Sequence, residues 1–341
     1  MMTLNAGPAS VSGALRRASS WASALVVLST SGCAAIAIST APSRNAVVSA
    51  DARVTDAHRT FRQTLAEGDY EKLGSAIEKL SGAYLLEPNE PQINLDLGMA
   101  HLWRVAERER MTPIPPTIID DLAVADFYLG QALLLAPDDA RITGFQASTR
   151  MAMGSVHHDE RQKRIGYFQM KDAVAAYPEF NLFVRSSVMS QLPSGDPGLE
   201  EAESALWEDL GACLDFSVDR TQPDIERIAN AGRAMLAKGA PTTRRERACL
   251  DSSFAPHNFE GFFWQFGDVL TKRGKPALAK KVYAIARVAP SFEQWSLRDT
   301  FEATSARADE RAAAFARASR AEEEPELYAR SKYFCVSCHA K

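Results

Sequence analysis

The chain has 341 residues, of which 46% are apolar and 24% are charged. This is ordinary globular composition, and the length is ample for one large hydrophobic core or two modest ones. The formal net charge of −4 provides no basic surface of the kind that binds nucleic acid, so any contact with a membrane must come from another feature.

The first 33 residues carry the features of a secretory signal. Arg16 and Arg17 supply positive charge, an apolar stretch follows at 21–30 (WASALVVLST), and small residues precede Cys33. The stretch is too short for a mature transmembrane helix but suits a signal peptide. Small residues directly before a cysteine resemble a bacterial lipoprotein signal, although Thr30 replaces the usual leucine. The resemblance implies that Cys33 becomes a lipid-bearing N-terminus; the alternative is an ordinary cleaved signal in which Cys33 has no role.

Residues 34–55 are expected to form a flexible tether between this anchor and the folded body. They are mostly Ala, Ser, Thr and Val, with few large side chains. With lipid on Cys33, we expect the protein to lie at the periplasmic face of a bacterial membrane.

From residue 56 onward the sequence predicts an all-α fold. Apolar residues recur at the helical period, and alternating strand patterns are scarce. Small residues allow neighbouring helices to approach closely, and proline ends a helix. Three segments share the order small residue, larger apolar residue, alanine, proline: Ala76, Leu80, Ala83 and Pro88; Ala125, Leu129, Ala132 and Pro137; Gly166, Met170, Ala173 and Pro178.

These positions resemble the second helix of a tetratricopeptide repeat. A fourth segment has five residues at the family's offsets: Gly267, Leu270, Ala279, Tyr283 and Ala286. Because the closing prolines are irregularly spaced, the resemblance implies degenerate helical-hairpin repeats, an α-solenoid or bundle, rather than a regular superhelix. It also implies a protein-binding surface more than an enzyme. A generic helical bundle with chance small residues is the alternative.

A Pro- and Gly-containing break at 192–200 (LPSGDPGLE) divides the predicted repeats. We expect an N-terminal half at 56–194 and a C-terminal half at 195–320. No phosphate-binding loop, nucleophile elbow or paired-histidine metalloprotease spacing occurs in the sequence, which disfavours an enzyme.

Four cysteines follow Cys33. In an oxidising compartment the simplest arrangement is a disulfide between Cys213 and Cys249, which would join two helices. The alternative is two buried thiols that act as small apolar side chains.

The remaining pair lies in CVSCH, within a segment at 321–341 that is predicted to be a helix with Pro325 in its first turn. Positions i, i+3 and i+4 share one face of a helix, so Cys335, Cys338 and His339 would project together. This arrangement is typical of c-type haem attachment, in which two thiols bond the haem and the histidine binds its iron. One covalent haem c is therefore the expected cofactor.

Two alternatives for CVSCH stay open: a disulfide or redox pair between Cys335 and Cys338, and a zinc site completed by Cys213 and Cys249. The motif resembles that of cytochrome c′, which sits on the last helix of a bundle and lacks a strong distal ligand. Only the pentapeptide carries this resemblance.

Because two residues follow His339, we expect any second iron ligand to come from upstream. His257 is the first candidate, since Pro256 places it in a loop just before a helix. Met170, Met235 and the pair at 157–158 are weaker candidates. Four neighbouring aromatic residues could wall a pocket or simply pack in the core: Phe259, Phe262, Phe263 and Trp264.

The sequence therefore favours an exported helical-repeat protein with one haem, acting in electron transfer or haem-based redox sensing within an envelope complex. Its repeats would dock a protein partner. The alternative is a non-redox lipoprotein scaffold for protein–protein interaction or solute-uptake assembly, in which CVSCH has no cofactor.

Overall fold

The structure, a computed structural model, describes residues 44–251, 253 and 255–339. The predicted signal peptide, Cys33 and residues 34–43 lie outside this part of the chain. The described part contains helices and no strand, which confirms the all-α prediction. The helices are α1 (Ala52–Glu67), α2 (Leu73–Leu86), α3 (Pro91–Ala106), α4 (Asp120–Leu135), α5 (Ala140–Val156), α6 (Glu160–Ala176), α7 (Pro178–Met189), α8 (Gly198–Leu214), α9 (Ile225–Leu236), α10 (Arg244–Leu250), α11 (Phe259–Lys272), α12 (Pro276–Ala286), α13 (Arg298–Ala306), α14 (Ala308–Arg317) and α15 (Val336–His339).

Helix α1 begins inside the segment predicted as a tether. The Asp51 carboxylate accepts a hydrogen bond from Arg53 N at 2.8 Å and caps the helix. Val54 and Ala57 are buried on its inner face. The tether prediction is therefore wrong for residues 52–55, because an aspartate cap and a buried apolar face outweigh the small-residue composition.

Successive helices pack as hairpins that follow chain order. The pairs are α1 with α2, α3 with α4, α5 with α6, α7 with α8, and α11 with α12. Helix α2 also packs against α3, and α4 against α5, so each hairpin contacts the next. The fold is thus an all-helical array of hairpins, as expected for a helical repeat or solenoid.

The recurring small residues lie where these helices touch. Ala76 and Ala125 are fully buried. A Cβ added to Gly98 would lie 2.7 Å from Leu129 Cγ, so only glycine allows α3 to approach α4 this closely. The small-residue spacing read from the sequence therefore marks helix–helix contacts.

The break at 192–200 joins α7 to α8, which pack against each other. By their contacts, residues Ala46–Lys341 form one compact unit. The division into an N-terminal and a C-terminal half stays a prediction.

Helix α11 lies at the centre of the C-terminal core and is buried along its whole length. Its Asp268 carboxylate accepts hydrogen bonds from Tyr283 Oη at 2.5 Å, Arg311 Nη1 at 2.6 Å and Tyr328 N at 2.7 Å. A buried carboxylate is tolerated when it is paired and hydrogen-bonded in this way. Asp268 thereby ties α12, α14 and the C-terminal segment to α11.

Candidate functional site

The C-terminal segment does not form the continuous helix predicted for 321–341. Within the described residues it contains two 3-10 turns, Ala321–Glu323 and Tyr328–Arg330, followed by α15. Distant carboxylates take the backbone N–H groups that a helix would use internally: Asp268 binds Tyr328 N, and Glu107 binds the N–H groups of residues 335 and 336. The prediction is wrong because these tertiary bonds, and Pro325, outweigh local helix preference.

The CVSCH motif itself adopts a single helical turn, which we call the terminal turn (residues 335–339). His339 N donates to the Cys335 carbonyl at 3.1 Å, and Cys338 N donates to the same oxygen at 3.2 Å. Cys335 and His339 are therefore separated by one turn, with the other cysteine between them.

Glu107, at the C-terminal end of α3, holds the start of the terminal turn. One of its carboxylate oxygens accepts from Cys335 N at 2.8 Å and from Val336 N at 2.9 Å, and the other accepts from Arg110 at 2.9 Å. Its side chain is fully buried. Burial raises the pKa of Glu107, and these hydrogen bonds and the Arg110 charge oppose that shift.

The C-terminal core holds the other end of the turn. The Ser337 carbonyl accepts from Asn258 Nδ2 at 3.0 Å and from Trp295 Nε1 at 2.9 Å. The Tyr328 hydroxyl lies 2.5 Å from Ser337 Oγ and 2.8 Å from Cys338 Sγ. The terminal turn thus connects the N-terminal hairpins to α11, and these bonds leave it little freedom.

The two thiols lie in different surroundings. Cys338 is 3% exposed and belongs to the apolar cluster around α11, whereas Cys335 is half-buried beside the cluster of α1 to α3. Both are free cysteines. Burial raises the pKa of both thiols, so they are held protonated and poorly nucleophilic in this position.

His257 lies beside the terminal turn with one nitrogen free. Its Nδ1 donates to the Asn258 carbonyl at 3.1 Å, which leaves Nε2 as a lone-pair donor. Nε2 is buried and has no hydrogen-bond partner among the described residues. Burial lowers the pKa of His257 to about 4, and the nearby charge of His339 contributes to the shift. His257 directly precedes Asn258, whose Nδ2 donates to the Ser337 carbonyl, so the structure brings the His257 loop against the terminal turn.

The aromatic residues of α11 pack in the core and leave little space. The His257 ring packs between Phe183 and Phe262, tilted by 48° to each, with centroid distances of 4.4 and 5.1 Å. The cavity beside His257, which Met235 also lines, measures about 20 Å³. Cofactor pockets are commonly about 300–1,000 Å³. The two thiols and the imidazole of CVSCH are the donors that a c-type haem needs. This cavity is too small for a haem, and none of Cys335, Cys338 and His339 lines it.

Cys213 and Cys249 form a disulfide that joins α8 to α10. Their sulfurs are 1.97 Å apart and their Cα atoms 5.9 Å apart. A zinc site on all four cysteines would need these sulfurs as free thiolates. No group of three or more His, Cys, Asp or Glu side chains converges in a metal-binding arrangement within the described part of the chain.

Sequence reasoning missed the residues that hold the terminal turn: Glu107, Asn258, Trp295 and Tyr328. Glu107 is 228 positions from Cys335, and no local pattern marks it as a partner of the motif. Asn258 was recognisable in principle, because an asparagine before an apolar helix is a common N-cap, and it does cap α11 through Gly261 N at 2.7 Å.

Of the helices that the structure describes, none combines the length and apolarity needed to cross a bilayer. No protein-family model, no curated protein and no solved structure matches the chain.

Proposed function

We propose that the chain is an exported, tetratricopeptide-like protein that carries one c-type haem on Cys335 and Cys338, with His339 as an iron ligand. The protein would be anchored through lipid on Cys33 and would act with an envelope protein partner in electron transfer or haem-based redox sensing. When bound, haem supplies one-electron exchange at its iron.

The observation that carries this proposal is the state of His257. A buried imidazole whose Nδ1 is held by a carbonyl and whose Nε2 has no partner is oriented as an iron ligand commonly is. It directly precedes Asn258, which binds the Ser337 carbonyl of the motif from a different segment. If no ligand binds it, a buried nitrogen without a hydrogen-bond partner costs about 1–3 kcal/mol in lost hydration.

The burial of Cys338 in the terminal turn adds a requirement to the proposal. Carrying haem would oblige the terminal turn to leave the position described above. Glu107 would then lose its bonds to Cys335 and Val336, and the Ser337 carbonyl would lose Asn258 and Trp295. The haem-bearing turn would therefore be more accessible to a partner than the docked turn is.

The proposal is tested by mapping the modification. The full chain is produced in the periplasm of a host that has haem-attachment machinery, and trypsin is used to cut after Lys332. We expect the peptide 333–341 to gain the mass of one haem. An unmodified peptide, with both thiols alkylated by iodoacetamide, contradicts the proposal.

The role of His257 has its own test on the haem-loaded protein. If His257 binds the iron, His257→Ala changes the spin state seen in the visible absorption spectrum, whereas His157→Ala, at an exposed histidine, does not. Identical spectra for wild type and His257→Ala would remove His257 from the iron site and leave the attachment proposal intact.

The anchor is tested separately by Cys33→Ser. If lipid on Cys33 holds the protein at the membrane, the variant is recovered in the soluble periplasmic fraction. Persistent membrane association of Cys33→Ser would mean that another feature is the anchor.

A second candidate function is the non-redox scaffold. The observation in its favour is that the terminal turn is buried and bonded from both sides, so it could serve only to hold α1 to α3 against α11. In this case no haem is attached, and removing the terminal turn lowers stability without any spectroscopic consequence.

A further inference from the structure

A buried acid lies beside the Cys213–Cys249 disulfide. Asp209 is one helical turn before Cys213 on α8 and is 0% exposed. Its Oδ1 lies 3.7 Å from Cys213 Sγ, and its Oδ2 has no hydrogen-bond partner among the described residues. Leaving a buried carboxyl unsatisfied is costly, and structural stability alone does not account for this residue.

Reduction of the disulfide would give Asp209 Oδ1 a hydrogen-bond donor. A sulfur in a disulfide carries no proton, so the 3.7 Å contact is not a hydrogen bond in the oxidised protein. In the reduced protein, the Cys213 thiol could donate to Oδ1. Burial, with the charge of Glu179, raises the pKa of Asp209 well above its usual range, so the carboxyl holds a proton that it can transfer.

Access to the two sulfurs is unequal. Cys213 is only partly buried, whereas Cys249 is 2% exposed. An external thiol therefore reaches Cys213 first. Thiol–disulfide exchange requires attack of a thiolate at an accessible sulfur, and its rate depends on how readily the other sulfur leaves.

We propose that Cys213–Cys249 is a redox-active disulfide that exchanges with a protein dithiol, with Asp209 transferring the proton of Cys213. A thiolate of the external dithiol attacks Cys213 Sγ, the bond to Cys249 breaks, and Cys249 leaves as a thiolate that takes up a proton released by the dithiol. The second external thiolate then attacks the external sulfur of the mixed disulfide. Cys213 leaves as a thiolate and receives the proton of Asp209, which the dithiol's second proton replaces.

The electron count is balanced. The external dithiol loses two electrons and becomes a disulfide, and Cys213–Cys249 gains two and becomes a pair of thiols. In the reverse direction Asp209 first gives up its proton to an external thiolate or to solvent, then accepts the proton of Cys213, and the Cys213 thiolate attacks an external disulfide. The exchange uses no haem, so it is independent of the proposed function.

The test uses the full chain with dithiothreitol as the dithiol. Reduction under native conditions is followed by timed alkylation and peptide mass spectrometry, which report Cys213 and Cys249 separately from the C-terminal thiols. Circular dichroism checks that the protein stays folded. We expect reversible reduction of the folded wild type. If the wild-type disulfide is reduced only when the protein unfolds, the proposal is overturned.

Asp209→Asn tests the acid directly, and Glu208→Gln is the matched control. Glu208 is on the same helix, one residue away, and is exposed. Because general acid–base catalysis contributes a factor of about 10²–10⁴, we expect exchange in Asp209→Asn to slow by at least tenfold. Glu208→Gln should exchange at the wild-type rate. Equal exchange rates for wild type and Asp209→Asn overturn the role of Asp209.

Discussion

Gly261→Ala should release the terminal turn without removing any of its polar partners. Gly261 lies in the first turn of α11, where Cys338 packs directly against its backbone. An added Cβ would lie 2.8 Å from Asn258 Oδ1, 2.9 Å from Tyr328 Oη and closer still to Cys338 Sγ. Tyr328 and Cys338 have little room to retreat, because both are buried.

The expected size follows from two opposing effects. Overpacking a filled site costs about 1–3 kcal/mol. Alanine in place of glycine stabilises the helix by about 1 kcal/mol through its higher helix propensity. Because the added Cβ would overlap three atoms, the upper part of the overpacking range applies, about 2–3 kcal/mol. After the propensity gain, a net shift of about 1–2 kcal/mol against the docked turn changes its equilibrium about 5- to 30-fold. Gly82→Ala is the control, because a Cβ at Gly82, also in a helix, meets nothing within 4 Å and gains propensity alone.

The assay is the rate at which Cys338 is alkylated in the folded, haem-free protein, read by peptide mass spectrometry. We expect Gly261→Ala to react about 5- to 30-fold faster than wild type, following the equilibrium shift. Gly82→Ala should react at the wild-type rate. If Cys338 reacts equally slowly in all three proteins, the contact with Gly261 does not hold the terminal turn.

Three further predictions concern the interactions that hold the fold together. Glu107→Gln keeps a hydrogen-bond acceptor but loses the charge, so the free energy of unfolding in urea should fall by about 1–2 kcal/mol. Glu109→Gln, at an exposed site, should leave the free energy of unfolding unchanged. Equal losses in both variants would show that Glu107 does not hold the terminal turn. The hydrogen bond that His58 Nδ1 donates to the Asp96 carboxylate raises the pKa of His58. This bond therefore stabilises the fold fully below the unfolded pKa of about 6.5, and the stabilisation is lost as the pH rises through the raised folded-state pKa. The stability difference between wild type and His58→Gln should therefore shrink from pH 5.5 to pH 9 in urea titrations, and a difference that grows would refute the assignment. Cys249→Ser removes the disulfide and should lower the free energy of unfolding by about 2–4 kcal/mol, seen as a lower urea midpoint. An unchanged midpoint would show that the disulfide does not stabilise the fold.

The hairpin array could be predicted because its determinants are local. Small residues at fixed spacing, such as Ala76 and Ala125, are buried where helices touch, and closing prolines end the helices. Helix α1 begins four residues before the predicted end of the tether. Composition predicts the tether, but the helix start depends on the cap at Asp51.

The site was harder to predict because its determinants are distant. The sequence marks Cys335 and His339, but it does not show that Glu107 takes the N–H groups that a terminal helix would need. The loop position of His257 makes it a candidate ligand in the sequence. That its Nε2 has no partner depends on burial and on the bond from Nδ1 to the Asn258 carbonyl, which the sequence does not show. No sequence pattern marks Asp209 as a functional residue, because its proposed role depends on the neighbouring Cys213–Cys249 disulfide.

The central claim is that Cys335 and Cys338 carry haem, and the pyridine haemochrome spectrum of the denatured protein tests it most directly. Three proteins are produced with haem-attachment machinery: wild type, Cys335→Ser with Cys338→Ser, and Cys213→Ser with Cys249→Ser as the matched cysteine control. We expect one c-type haem per chain in the wild type and in the control, and none in the first double variant. A wild-type protein that is folded, exported and free of covalent haem would contradict the claim.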